Sequence, residues 1–195
     1  MTSYILESAS VSPLSKNKPR QAIILCHGYG GDGKDISALA INWQRFLPDA
    51  IFLCPNAPEI CDVNPQGYQW FDYSSEKEEI ILEKSLEAEE KLSIFLNQVF
   101  DNLQLEPTNV ALVGFSQGSM ISIQAGLKEK RKINCIISFS GKIINQKHLS
   151  ENINSKPKIF LMHGENDTIV PATHLLEAKE YLKKHGINAK IKMFK

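Results

Sequence analysis

Five short apolar runs, spaced along the whole chain, constrain the fold more than any other feature. They are A-I-I-L-C (22–26), A-I-F-L-C (50–54), N-V-A-L-V (109–113), N-C-I-I-S-F-S (134–140) and K-I-F-L-M (158–162). Each is bounded by turn or charged residues and is too short for a buried helix. Each predicts a buried strand. Helical patterns fill the gaps. Lys34–Phe46 brings Ile36, Leu39, Ala40 and Trp43 onto one stripe, and Glu76–Leu103 forms a long amphipathic helix. A helix is expected from Ser116 to about Lys130, and another from Pro171 to Lys184 with Gly186 at its end. Residues 188–194 alternate as a last strand would, Y-I-L-E-S (4–8) reads as an edge strand, and the Pro-rich stretch 55–75 reads as a loop. Strands alternating with helices predict an α/β fold, with a mostly parallel central sheet and helices on both faces.

The chain has 195 residues, which suits a single domain over 1–195. Lys+Arg and Asp+Glu both number 22, without basic runs or interleaved aromatics, so no nucleic-acid partner is expected. The N-terminus lacks the charged and apolar regions of a secretory signal, and no window approaches a membrane span. A soluble, cytoplasmic protein is the expectation. Cys26, Cys54, Cys61 and Cys135 form no C-x-x-C pair and are expected as free, mostly buried thiols, with no metal site.

In parallel sheets, ligands bind beyond the carboxyl ends of the strands. Three chemically suggestive stretches fall there: His27–Asp32, Gly114–Gly118 and His163–Asp167. G-F-S-Q-G (114–118) fits a nucleophile elbow, in which a tight strand-to-helix turn lifts a serine above the sheet. Its glycines are needed where strand and helix approach too closely for a β-carbon. Asp167 follows the serine in chain order and could orient a histidine base. The glycines at 28, 30, 31 and 33 leave backbone N–H groups free for an anion. They do not match a dinucleotide fingerprint, and Lys34-Asp35 does not continue a phosphate loop.

H-G-Y-G-G-D, P-N-A-P-E (55–59), Q-W-F-D-Y (69–73), G-F-S-Q-G and H-G-E-N-D-T-I-V-P (163–171) together resemble the carboxylesterase/phospholipase group of α/β-hydrolases, which includes acyl-protein thioesterases and lysophospholipases. The resemblance covers nearly the whole chain. It implies an α/β-hydrolase fold and cofactor-free hydrolysis of small-molecule carboxylic esters or thioesters. By position it implies Ser116 as nucleophile, Asp167 as acid, the backbone N–H groups of Tyr29 and Gln117 as oxyanion hole, and Trp70 beside the acyl pocket. Trp70 reads equally well as a core residue.

The family's histidine lies in a Gly-His loop after the last strand. Here that strand is expected at 188–194, next to Lys195. The base and last helix are therefore expected to be absent, the chain truncated and its activity impaired. His27 and His163 match H-G turns, and His148, His174 and His185 read as surface or helix-end residues. A non-catalytic remnant or binding protein on a hydrolase scaffold is the alternative, and assembly with a separate polypeptide a further one.

Overall fold

The computed structural model describes residues 4–72 and 78–195. Among the described residues, nine strands and five α-helices run in the order β1 (Ser8–Val11), β2 (Gln21–Cys26), α1 (Gly33–Trp43), β3 (Ala50–Pro55), β4 (Glu59–Cys61), β5 (Asn64–Gln69), α2 (Glu78–Leu103), β6 (Val110–Phe115), α3 (Gln117–Lys128), β7 (Cys135–Phe139), α4 (Gln146–Glu151), β8 (Lys158–Gly164), α5 (Thr173–Lys184) and β9 (Lys190–Phe194). Seven strands form one sheet in the order β1-β3-β2-β6-β7-β8-β9. Only β1, on the edge, is antiparallel to its neighbour.

Each strand turns one row of side chains to each face. Ile24, Leu112, Ile136 and Leu161 pack against α2, α3, α4 and α5 in the larger core cluster. Leu25, Phe52 and Val113 face the other way and meet Ala40, Ile36 and Trp43 of α1. The five central strands lie where the apolar runs place them, and so do the four longer helices. The Glu76 start expected for α2 falls outside the described residues.

Two local expectations are corrected, and one short helix is new. The edge strand is Ser8–Val11, not residues 4–8. Leu6 is buried in the core and the Tyr4 ring lies 4.9 Å from Phe95, so that segment packs on α2 instead of pairing. The stretch 55–75 is not all loop: β4 and β5 pair as a hairpin, with Glu59 opposite Gln69 and Ile60 opposite Tyr68. Pro65 falls where the register shifts between Ile60 and Cys61, an irregularity that tolerates a residue without an N–H. Residues 146–151 form the short α4, with His148 on it, a single turn and a half too short for periodicity to reveal.

Candidate active site

The three suggestive stretches converge at one end of the sheet. β2 and β6 are neighbours, with Cys26 opposite Gly114. β7 lies between β6 and β8, so Ser116, Ser140 and Asp167 all leave the sheet on the same edge.

Ser116 has φ 51° and ψ −117°, a backbone conformation side chains seldom adopt. Such residues cost roughly 1–3 kcal/mol and persist only where their surroundings hold them. Here the Ser116 N–H donates to the Phe139 carbonyl of the next strand at 2.8 Å. Its own carbonyl accepts from the N–H groups of Ser119 and Met120 and opens α3. A β-carbon on Gly114 would overlap the backbone of Gly118 and Ser119, and one on Gly118 would overlap the carbonyls of Cys26 and His27. The two glycines thus hold the elbow against both β6 and the end of β2.

The 28–31 loop sits directly beside the serine. A β-carbon on Gly28 would lie 3.4 Å from the Ser116 Cβ. Gly30 donates to Tyr68 and Tyr68 donates to Gly31, so the hairpin braces the loop. Asn64 Nδ2 adds a bond to the Gly30 carbonyl at 2.8 Å. Among the described residues, the Tyr29 N–H has no acceptor. The Gln117 N–H begins α3 and has no intrahelical acceptor either.

Gln117 contributes more than its backbone. Its side chain accepts from the Trp70 N–H at 2.7 Å and donates to the Phe71 carbonyl at 2.7 Å. Trp70 is 0% exposed, and its indole N–H donates to the His27 carbonyl at 2.9 Å. The structure therefore places Trp70 inside the core as a bracket between hairpin, loop and elbow. A cavity of about 490 Å³ opens nearby, lined by Gly28, Ile36, Trp43, Phe115 and Phe139 among others. Sequence reasoning missed the Gln117 side chain, since a glutamine in G-x-S-x-G carries no signal of its partners.

Asp167 is 17% exposed at its side chain. Its Oδ1 accepts from the N–H groups of Ile169 (3.0 Å) and Val170 (2.9 Å). Partial burial pushes the carboxyl up, but bonds from Val170, the Ser140 side chain and Ile169 outweigh it, so its pKa falls below the ordinary 3.8. It stays a carboxylate near neutrality. Ser140 is a second residue that sequence left unnoticed; its φ of 49° is the only local oddity that marks it.

Each of the five histidines has its own surroundings. His27 Nε2 accepts from the Ala57 N–H at 2.9 Å, and Nδ1 donates to the Gly28 carbonyl at 2.7 Å. His163 Nε2 lies 2.7 Å from the Val170 carbonyl and 3.5 Å from Asp167. His174 pairs with Glu177 at 2.7 Å. His185 caps the end of α5, just beyond the helix on which it was expected, with Nδ1 on the Tyr181 carbonyl. His148 lies on α4, and its Nε2 is buried without a partner among the described residues.

His27 makes a prediction. Burial lowers its pKa below 6.5, opposed by the Gly28 carbonyl and the Asp32 charge. A protonated ring could not accept from Ala57. The folded value is the lower one, so the unfolded chain binds the extra proton first. Stability should be complete above pH 6.5 and decline as pH falls below it. Urea titrations from pH 7.5 to 5.5 check this, and His27→Gln should flatten that slope.

A family model described as phospholipase/carboxylesterase matches residues 8–195. The chain belongs to the phospholipase/carboxylesterase family. It is 27% identical over 190 residues to acyl-protein thioesterase 1 of Emericella nidulans, covering 87% of this chain and 79% of that protein. It is 25% identical to the esterase YpfH of Escherichia coli, covering 86% of this chain and 71% of that one. The crystal structure of esterase PE8 superposes with a TM-score of 0.91 at 35% identity, over 97% of this chain and 88% of that chain. By family, then, the fold is that of an α/β-hydrolase and the chemistry is hydrolysis of carboxylic esters or thioesters. No helix among the described residues is long and apolar enough to cross a membrane.

Proposed function

We propose that this phospholipase/carboxylesterase-family chain is a serine hydrolase scaffold that forms an acyl-enzyme on Ser116. The observation that carries this is the strained Ser116, held by two indispensable glycines beside a loop with a free N–H. In the proposed reaction Ser116 Oγ attacks the acyl carbonyl and a base takes its proton. The N–H groups of Tyr29 and Gln117 receive the oxyanion, as donors fixed before the substrate arrives. Asp167, ionised, orients the histidine base and stabilises its charged form. Trp70 enters as the buried support of the oxyanion loop. The four free cysteines agree with a cytoplasmic setting.

The base is not among the histidines of residues 1–195. His27 uses both ring nitrogens, and the His163 Nε2 proton is held by Val170 and Asp167. His174 belongs to α5, His185 caps its end, and His148 belongs to α4. Loss of the histidine in a serine hydrolase costs on the order of 10⁶-fold in kcat. By itself this chain should turn over esters extremely slowly. The same engaged histidines favour a second reading, a binding protein on a hydrolase scaffold.

A fluorophosphonate probe tests both. The expected result is slow labelling confined to Ser116, lost in Ser116→Ala and accelerated by added imidazole. Absence of labelling with or without imidazole would support the binding protein. Rapid labelling without imidazole would place the base inside the chain, and His163→Gln would be the next variant.

A further inference from the structure

Charge is distributed very unevenly. Residues 1–127 hold 8 Lys/Arg and 16 Asp/Glu, whereas residues 128–195 hold 14 and 6. The fold gathers much of the positive excess at one place. Lys130, Arg131 and Lys132 follow the end of α3; Lys156 and Lys158 lead into β8; Lys183 and Lys184 close α5; and Lys190 starts β9. The Asn154 and Ser155 N–H groups both donate to the Leu127 carbonyl, so the β8 approach lies against the end of α3. Asn154 Nδ2 reaches the Lys128 carbonyl at 2.8 Å. A β-carbon on Gly186 would lie 3.0 Å from Lys156 Nζ, so the α5–β9 turn lies against it as well. Three separate chain segments thus form one contiguous basic edge.

All eight cations are exposed. The only carboxylate in 129–132, 154–158 and 183–190 is Glu129, which is buried and turned onto Arg131 at 3.5 Å. Among the described residues none of the seven lysines has an ion-pair partner. Arg131 also lies over the Phe100 ring and Lys190 over the Phe160 ring; the other six cations repel one another, and the fold gains nothing from their being adjacent.

We propose that this edge docks the protein onto an anionic lipid bilayer surface. The chemistry favours a membrane over nucleic acid. Seven of the eight are lysines, which act as hydrated point charges, not as the planar forks that read phosphates and bases. No Phe, Tyr or Trp occurs in the three segments to stack on a base. The charges spread along the starts of adjacent strands, a broad edge suited to a diffuse anionic plane. The edge is formed by the N-terminal ends of β8 and β9, opposite the end that carries Ser116. A docked molecule would hold Ser116 roughly a strand length, about 20 Å, further from the lipid, open to water. The proposal does not depend on the reading of Ser116.

Co-sedimentation of the full chain with vesicles tests it. Binding is expected to phosphatidylcholine vesicles containing phosphatidylglycerol, not to pure phosphatidylcholine. It should be strong at about 20 mM salt and lost at about 500 mM, where charges are screened within a few ångström. Each lysine near such a surface strengthens binding about fivefold, so Lys130→Glu/Lys132→Glu should weaken it at least tenfold. Lys34→Glu/Lys147→Glu removes the same charge from elsewhere and should bind far better than that variant. If circular dichroism shows the first variant unfolded, Lys183→Glu/Lys184→Glu replaces it. Failure to bind anionic vesicles, equal loss in both double variants, or salt-insensitive binding would overturn the proposal. So would preferential capture by single-stranded RNA at equal phosphate concentration.

Discussion

Gly118→Ala should destabilise the fold by about 3 kcal/mol or more, the upper end of overpacking effects. The added methyl would run into the Cys26 and His27 carbonyls. These are backbone atoms in and just beyond β2, whose neighbours on both sides are sheet strands. They cannot rotate aside as a side chain would. Relief requires α3 to move off the sheet, and α3 is buried along nearly its whole length. Gly164→Ala provides the contrast. Nothing lies within 4 Å of a β-carbon there, so that change should stay within about 0.5 kcal/mol. Urea unfolding of both variants beside the parent chain measures the difference. Similar midpoints would mean that the elbow is looser than its glycine spacing implies.

Trp70→Ala should cost about 3–5 kcal/mol, as expected for removing a fully buried large aromatic ring. Two effects add. The cavity forfeits packing in the larger core cluster, and the buried His27 carbonyl loses its indole donor. Trp70→Phe retains most of the ring and loses only the N–H, so it should cost a fraction of that, about 1–3 kcal/mol. Chemical denaturation separates the two contributions. If both variants lost the same amount, the hydrogen bond would be the whole of the effect.

The sequence discloses the fold best where burial is two-sided. The runs at 22–26, 50–54 and 109–113 are apolar on both faces because the sheet is covered there; those at 134–140 and 158–162 bury one face and leave the other half-buried, and all five are strands in the structure. It discloses less where tertiary contacts decide. Residues 59–69 pair as a hairpin that is braced where Tyr68 bonds the backbone of Gly30 and Gly31, and Gly67 lies so close to the Gly30 carbonyl that no side chain fits. Nothing local in N-P-Q-G-Y-Q announces that. At the site, the elbow and Asp167 are legible because turn geometry and chain order leave marks in the residue pattern. The Gln117 latch and the Ser140 contact are not, since both join residues far apart in the chain through a single side chain.

The Gln117 latch has a consequence for the thermodynamics of catalysis. One residue both begins the helix behind the serine and clamps residues 70 and 71, and Trp70 in turn holds the His27 carbonyl. Helix start, hairpin and glycine loop therefore form one rigid body. The freedom of the loop is given up when the chain folds, not when a substrate arrives. In the proposed reaction, binding then needs to immobilise only the acyl group itself, and the proposed oxyanion donors need not reorganise as negative charge develops.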